Sequence, residues 1–373
     1  MTYLHSATRH SVLITGGAGF IGTNLAHRLL SGGNAVIILD NLARPGVGRN
    51  LQWLRTQHRD RLAVVVADIR DEKAVAGAVR QAGQVFHFAT QVAVTTSLAD
   101  PVADFEANAR GTLTLLEAVR RAGRSVPLLF TSTNKVYGDL NDIALAGGDS
   151  RYAPPDGSPF RDGVNERRAV ASQSPNGCAK GAAEQYVLDY ARTYGLPATV
   201  FRMSCIYGPH QCGNEDQGWV AHFLLRAMQN RPITICGDGR QVRDVLFIDD
   251  LIDAMIFAQA NVEAVRGRAF NVGGGPQNTI SLLELTAMIA ALQGELPRVV
   301  FSDWRAADQR WYVSDTRAIG AATGWSPRVG VGEGVRRLHR WLIDTRMTEE
   351  MEPAADAEAL LDVEPLTYFA KDA

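Results

Sequence analysis

Between residues 11 and 204 short apolar runs alternate with stretches whose apolar residues recur every three or four positions. "SVLIT", "NAVIILD", "RLAVVVADI", "QVFHFAT", "PLLFTST" and "PATVFRMS" are continuous, β-branched-rich runs, and each reads as a strand buried on both faces. Between the first two, "FIGTNLAHRLLSGG" carries Ile21, Leu25 and Leu29 at helical spacing and stops on glycine. A second helix is predicted over Ala107–Ala122. Strands alternating with helices imply a parallel sheet covered on both faces.

The pattern breaks between about 140 and 173, where "NDIALAGGDSRYAPPDGSPFRDGVNERR" is rich in Gly, Pro and Asp and has no period. A loop this long in a compact domain is functional or mobile. Beyond about 209 the elements shorten. "DQGWVAHFLLRAMQN" and "DDLIDAMIFAQAN" read as helices, and "PITICGDGRQVRDVLFI" as strand-turn-strand. "NTISLLELTAMIAAL" opens on a capping box, Ser281 with Glu284. The reading divides the chain into a tail (1–10), a cofactor domain with the long loop (11–208), a smaller lobe with segments returning to the sheet (209–346) and an acidic flexible tail (347–373).

Composition adds mostly exclusions. The 373 residues are 46% hydrophobic and 21% charged, enough for a large core, and a net charge of −2 leaves no footprint for nucleic acid or an anionic membrane. Four cysteines (Cys178, Cys205, Cys212 and Cys236) form no C-x-x-C pair and no metal-ligand spacing, and read as reduced thiols. No apolar run approaches the roughly 18 residues of a membrane span, and "MTYLHSATRH" lacks a signal-peptide core. A cytoplasmic protein is expected, with no metal.

"LITGGAGFIG" is the strongest chemical signal. Gly16, Gly19 and Gly22 follow a strand and open a helix, where glycines let a backbone approach a pyrophosphate at the helix N-terminus. The second strand ends in Asp40, whose carboxylate accepts from both ribose hydroxyls and repels a 2′-phosphate, which favours NAD. Asp68 in "VADIRD" ends the third strand, placed to reach an adenine. The fold class is α/β, a Rossmann-type doubly wound parallel sheet with a smaller C-terminal substrate-binding lobe.

With "TGGAGFIG", "ADIRD", "STNKVYGD", "NARGT" (Asn108, Gly111, Thr112), "CAKGAAEQY", "VRDVLFIDD" and "AFNVGG" in hand, the chain resembles the NAD-dependent nucleotide-sugar epimerases and dehydratases of the extended short-chain dehydrogenase/reductase family, from about residue 11 to 345. "QVAVTTS", "STNKVYGDL", "GCAKGAAEQYVLDYAR" and "DQGWV" are most similar to the branch that epimerises CDP-linked sugars at carbon 2. The cofactor set this implies is Gly16, Gly19, Phe20, Ile21, Asp40, Asn41, Asp68, Ile69, Ala89, Gln91, Asn108 and Lys180. In such enzymes a tyrosine takes a proton from a sugar hydroxyl during oxidation, a lysine four residues later holds the nicotinamide ribose, and a Ser/Thr binds the reacting oxygen. Carried across, the catalytic set is Thr133, Asn176 and Lys180, and the tyrosine position holds Asn176. An amide has no proton-accepting state near neutral pH, although it hydrogen-bonds a hydroxyl in either sense. Lys180 is the first replacement base, with Cys178, Tyr137 and His210 near in the motifs. Cys178 reads as a small buried residue near a helix start, and His87 as structural or cofactor-lining.

The acidic pair that sugar 4,6-dehydratases carry after this threonine is replaced by Asn134 and Lys135. The implied substrate-binding set is Thr133, Asn134, Asn176, Arg243 and Arg305, the two arginines forking onto a pyrophosphate with Asp308 as brace. Trp219 and Phe223 read as core. The resemblance implies transient oxidation of the sugar of a nucleotide or nucleoside, ending in epimerisation. The alternatives are dehydration through a keto intermediate, or an inactive homologue that binds NAD and sugar nucleotide. It also implies a homodimer built on helices around 92–122 and 176–195.

Overall fold

The structure, a computed structural model, describes residues 11–91, 94–214, 217–305 and 308–345; both predicted tails lie outside these. Its centre is a seven-stranded sheet of β1 (Ser11–Thr15), β2 (Val36–Asp40), β3 (Leu62–Val66), β4 (Ala82–His87), β5 (Leu128–Thr133), β6 (Ala198–Met203) and β7 (Ala269–Val272). The strands run parallel in the order β3-β2-β1-β4-β5-β6-β7. The six apolar runs became six of these strands; β7 returns from the C-terminal half.

Alternate residues supply two cores. Val12, Ile14, Ile38 and Phe86 pack on one face, with Leu25, Ala26 and Leu29 of α1 (Phe20–Ser31). Leu13, Ile37 and Val85 pack on the other. There they meet Val75 and Val79 of α3 (Glu72–Gln81), following α2 (Val47–Gln57) in the chain. Two short helices, α4 (Val94–Ala99) and α5 (Pro101–Phe105), lead into α6 (Gly111–Arg121), and α6 and the long α7 (Pro175–Thr193) complete that face with Leu115, Leu116, Ala183 and Val187. Strand order reverses between β1 and β4, which opens a crevice beyond their carboxyl ends, the position where doubly wound sheets bind ligands.

Two expectations change. The helix predicted over Ala107–Ala122 begins earlier: α5 runs into a π-helical turn, Glu106–Arg110, before α6. The extra residue of such a turn re-aims side chains, here Asn108. The strand-turn-strand forms its two strands, Ile233–Cys236 and Val242–Phe247, but they do not pair with each other. The first pairs with Val299–Ser302, and the second with Thr279–Ser281, Trp311–Tyr312 and Cys205–Tyr207. Every residue of Val242–Phe247 is buried, which needs neighbours from distant segments rather than a hairpin mate.

The irregular stretch after residue 140 has a core of its own. Leu140, Ile143 and Val164 pack on Val136, Tyr137, Val242, Trp311 and Tyr312. Its backbone is tied down by Val164 N–H donating to Val313 O (2.7 Å) and Asp315 N–H donating to Val164 O (2.9 Å).

Candidate active site

The glycine turn fits the role its spacing suggests. Gly16 has φ +67°, and a Cβ there would lie 2.6 Å from Ala89 N, so β1 and the end of β4 close up only around glycine. A Cβ on Gly22 would lie 2.5 Å from Gly16 O, which presses α1 against the turn. Gly19 is the N-cap of α1, and a Cβ on it would meet only Gly16 O, at 3.2 Å. The space before this helix N-terminus is thus open, as a pyrophosphate at a helix N-terminus requires. Phe20 and Ile21 form the first turn of α1.

Asp40 ends β2 under this turn. Its Oδ2 accepts from Ala18 N (3.0 Å) and its Oδ1 from Leu42 N (2.9 Å), so it braces the loop and still has lone pairs for ribose hydroxyls. Burial pushes its pKa up, against those two backbone bonds. Asp68 is forked by Arg70 (2.7 and 2.9 Å) and accepts from Asn41 Nδ2 (3.3 Å). The Arg70 bond holds its carboxyl down at about 2. Ile69 is buried where α6 begins; a Cβ on Gly111 would strike it at 2.5 Å. Asp40, Asn41, Asp68 and Ile69 therefore line one end of the crevice, beside the glycine turn.

A chain of hydrogen bonds runs from β1 to the first turn of α7. Thr15 Oγ1 lies 2.7 Å from His87 Nδ1, His87 Nε2 lies 3.0 Å from Thr112 Oγ1, and Thr112 Oγ1 donates to Asn108 O at 2.6 Å. With its hydrogen donated onward, Thr112 accepts from His87 Nε2–H, so Nδ1 accepts from Thr15. His87 is a neutral structural histidine, its pKa pulled to about 3 by burial and then by Lys180. Asn108 Oδ1 accepts from Gln91 N (2.9 Å) and from the Thr90 hydroxyl, and its Nδ2 donates to Gln91 O and Asp104 Oδ1 (both 3.0 Å). Ala89 N–H donates to Thr15 Oγ1 (3.3 Å). The π-helical turn is what brings Asn108 inward to bind the segment after β4.

Helix α7 starts with Ser174 at φ +74°, its Oγ accepting from Gly177 N (3.3 Å), and Pro175 at the first position. Asn176, Lys180 and Glu184 then recur every fourth residue on its buried face. A polar stripe on an inward face departs from the usual amphipathic pattern, and each of its members has a hydrogen-bond partner. Asn176 donates through Nδ2 to Gln91 O (3.0 Å) and Asp104 Oδ1 (3.3 Å). Lys180 Nζ donates to Thr131 O (2.8 Å) and lies 4.6 Å from the centre of the Phe130 ring. Burial lowers the Lys180 pKa to about 7, against the pull of Asp104. Burial raises the pKa of Asp104, opposed by Asn176, Asn108 and Lys180. Glu184 pairs with Arg202 of β6 (3.0 Å), whose Nη1 donates to Tyr137 Oη (2.9 Å).

Around the end of β5, Thr133 accepts from Lys135 N (3.2 Å) and donates to Asn134 Oδ1 (3.3 Å), while Asn134 Nδ2 donates to Gln309 Oε1 (3.2 Å). Asp308 Oδ1 gathers Arg243 Nη2 (2.8 Å) and Lys135 Nζ (3.4 Å). Asp308 thus braces Arg243 as expected, and Lys135 joins them. Lys135 is depressed by burial, with Asp308 opposing. Arg305 Nε lies 3.3 Å from Cys236 Sγ.

The replacement bases fare differently. Cys178, expected to be buried, is exposed, because α7 turns its polar stripe inward and position 178 outward. Tyr137 is buried, its hydroxyl donates to Asn271 Oδ1 (2.8 Å), and burial pushes its pKa to about 12. His210 packs its ring 4.1 Å from Trp53 and 5.2 Å from Trp341, and burial lowers its pKa to about 4. Lys180 alone of these has both a site address and a pKa near neutrality. Phe223 is core and Trp219 half-buried against it. Asp104 and Gln309 had no sequence signal: Asp104 meets Asn176, and Gln309 meets Asn134 and Gly138, all far along the chain.

A parallel sheet with a glycine turn at its switch point, a carboxylate ending the second strand and a buried lysine on α7 defines a dinucleotide-dependent oxidoreductive enzyme. The chain belongs to the NAD dependent epimerase/dehydratase family, whose model matches residues 12–273, and it is an NAD-dependent enzyme of that family. It is 43% identical over 337 residues to the CDP-paratose 2-epimerase of Salmonella typhi, across 88% of this chain and 98% of that protein. It is 33% identical over 326 residues to a UDP-glucose 4-epimerase of Mycolicibacterium smegmatis, across 87% and 96%. Among solved structures, the UDP-glucose 4-epimerase of Thermus thermophilus in complex with NAD superposes with a TM-score of 0.74 at 31% identity, over 89% of this chain and 99% of that one. A dTDP-glucose 4,6-dehydratase of Streptomyces venezuelae, solved with NAD bound, superposes with a TM-score of 0.78 at 28% identity, over 92% and 100%. Among the described residues no helix is long and apolar enough to cross a membrane, and no group of His, Cys, Asp or Glu is placed to hold a metal ion.

Proposed function

We propose that the protein epimerises the sugar of a nucleotide sugar, a CDP-sugar first, by transient oxidation of one hydroxyl to a ketone. The observation that carries this is Lys180: a buried amine near pKa 7, in the helix that also presents Asn176, is neutral often enough to take a hydroxyl proton at physiological pH. The cradle at Gly16 and Gly19, with Asp40, Asp68 and Asn108, would hold NAD. When bound, NAD supplies the reversible two-electron acceptor.

The chain's own groups do the rest. Lys180 takes the proton of the reacting hydroxyl and returns it when the ketone is reduced on its other face. Thr133, at the end of β5, offers its hydroxyl to that oxygen. Arg243 and Lys135, braced by Asp308, face the diphosphate, and Arg305 extends that positive surface. Elimination of water needs an acid and a base beside the threonine; Asn134 is bonded to Gln309 and Lys135 to Asp308, which favours epimerisation. The 43% identity to a protein named CDP-paratose 2-epimerase supports the CDP-sugar. Leu98, Val102 and Phe105 of α4 and α5, with Tyr186 of α7, are exposed, which supports a homodimer through these helices.

The test is stopped-flow absorbance of the NAD-loaded protein mixed with CDP-, UDP-, GDP- and ADP-sugars, with the products read by NMR and mass. A transient reduced-cofactor band and an epimer of unchanged mass are expected. A product lighter by one water would replace epimerisation by dehydration, and binding without any band would refute the redox reading.

A further inference from the structure

We propose that Asn176 is a specificity determinant whose amide carbonyl receives a sugar hydroxyl other than the one oxidised, and that Asp104 is the positioning residue that fixes it so. This rests on the function proposed above.

The orientation of the amide follows from its partners. Asn176 Nδ2 lies 3.0 Å from Gln91 O and 3.3 Å from Asp104 Oδ1, a carbonyl and a carboxylate. Both only accept, so both hydrogens of the NH2 group are committed inward, and Oδ1 is the atom left for a ligand. Turning the amide over would set an acceptor against two acceptors. Asp104 is itself held: its Oδ1 also takes Asn108 Nδ2 at 3.0 Å, and Asn108 is oriented by Gln91 N at 2.9 Å. Asp104 and Asn108 are each 1% exposed, so water does not compete for these bonds. Asp104 Oδ2 is buried and has no partner among the described residues. A carboxylate kept in that position, rather than a neutral residue, indicates that its accepting capacity is needed there.

The chemistry then selects which hydroxyl Oδ1 can serve. Oxidation turns the reacting C–O–H into C=O, and the oxygen loses its hydrogen. An amide carbonyl facing that oxygen, unable to take up the proton, would lose its hydrogen bond at the ketone and confront a lone pair. Donors suit the ketone oxygen: the Thr133 hydroxyl serves on turning from Asn134 Oδ1, and Lys180 becomes a donor once it has taken the proton. Oδ1 suits a hydroxyl that keeps its hydrogen throughout the cycle. Asn176 therefore reads the substitution pattern of the sugar, and a substrate lacking that second hydroxyl leaves a buried carbonyl unpaired.

The test is isothermal titration of NAD-loaded protein with CDP-, UDP-, GDP- and ADP-glucose, then with the monodeoxy analogues of the tightest binder. One analogue is expected to bind the wild type about tenfold more weakly or worse, the loss usual for an unpaired buried acceptor. The same analogue and its parent should bind Asn176→Ala and Asp104→Ala within about threefold of each other. Asp104→Asn, which keeps an accepting oxygen for Asn176 and Asn108, should restore the discrimination, and serves if Asp104→Ala does not fold. A purely structural Asp104 would weaken all analogues alike and overturn the proposal, as would discrimination surviving in Asn176→Ala. Binding with no reduced-cofactor band from any sugar would sink the redox reading and leave the binding test in force. Failure of all four nucleotide sugars to bind would overturn both.

Discussion

Lys180 is 6% exposed, and its pKa falls from 10.5 to about 7 with burial as the largest cause. Below about 7 the folded protein carries a buried ammonium. Between 7 and 10.5 the unfolded chain binds more protons than the folded one, so stability rises with pH across that interval. At about 1.36 kcal/mol per decade the shift corresponds to roughly 5 kcal/mol of stability withheld at and below neutrality. Lys180→Met keeps the length and removes the charge, at the loss of one hydrogen bond to Thr131 O, about 1 kcal/mol. NAD-free Lys180→Met should therefore be more stable than the wild type by about 3 kcal/mol near pH 7. The gap should close by roughly 1.4 kcal/mol per pH unit above that. Urea denaturation of both proteins from about pH 6 to about pH 9 reads this directly. In the same variant turnover should drop at least about a hundredfold with the fold intact, and wild-type turnover should rise with pH through about 7 as the amine loses its proton. A stability gap that stays constant or widens with pH would refute the burial argument.

Four further perturbations separate the parts of the site. Gly19→Ala places its Cβ 3.2 Å from Gly16 O, with open space beyond; NAD affinity should fall about tenfold or more, by fluorescence titration, with little change in melting temperature. Gly22→Ala, whose Cβ would lie 2.5 Å from Gly16 O, should instead lose about 1–3 kcal/mol of stability in denaturant melts. Asp40→Asn removes the charge under the ribose, and the ratio of NAD to NADP affinity should fall about tenfold by isothermal titration; an unchanged ratio would remove Asp40 from cofactor choice. Glu184→Gln leaves the Arg202 guanidinium buried without its anion and should lower stability by about 3–5 kcal/mol in urea melts.

The sequence by itself determined what backbone sterics and local period dictate. The six apolar runs became parallel strands, because a strand buried on both faces has no polar alternation to show. The placing of Gly16, Gly19, Gly22 and Asp40 was legible because they lie within one strand–helix–strand unit, and the capping box of Ser281 and Glu284 formed because it too is local. Tertiary structure decided everything that joins distant segments. The bond between Asn176 and Asp104 spans 72 positions and that between Lys135 and Asp308 spans 173, and no spacing rule reaches so far. The pairing of Val242–Phe247 with three remote strands, and the core beneath the unpatterned loop, have the same origin. Burial is also a property of the packed whole. The same lysine that ionises near 10.5 in water becomes an amine near 7 only because β5, α5 and α7 close around it and exclude the solvent that would stabilise its charge.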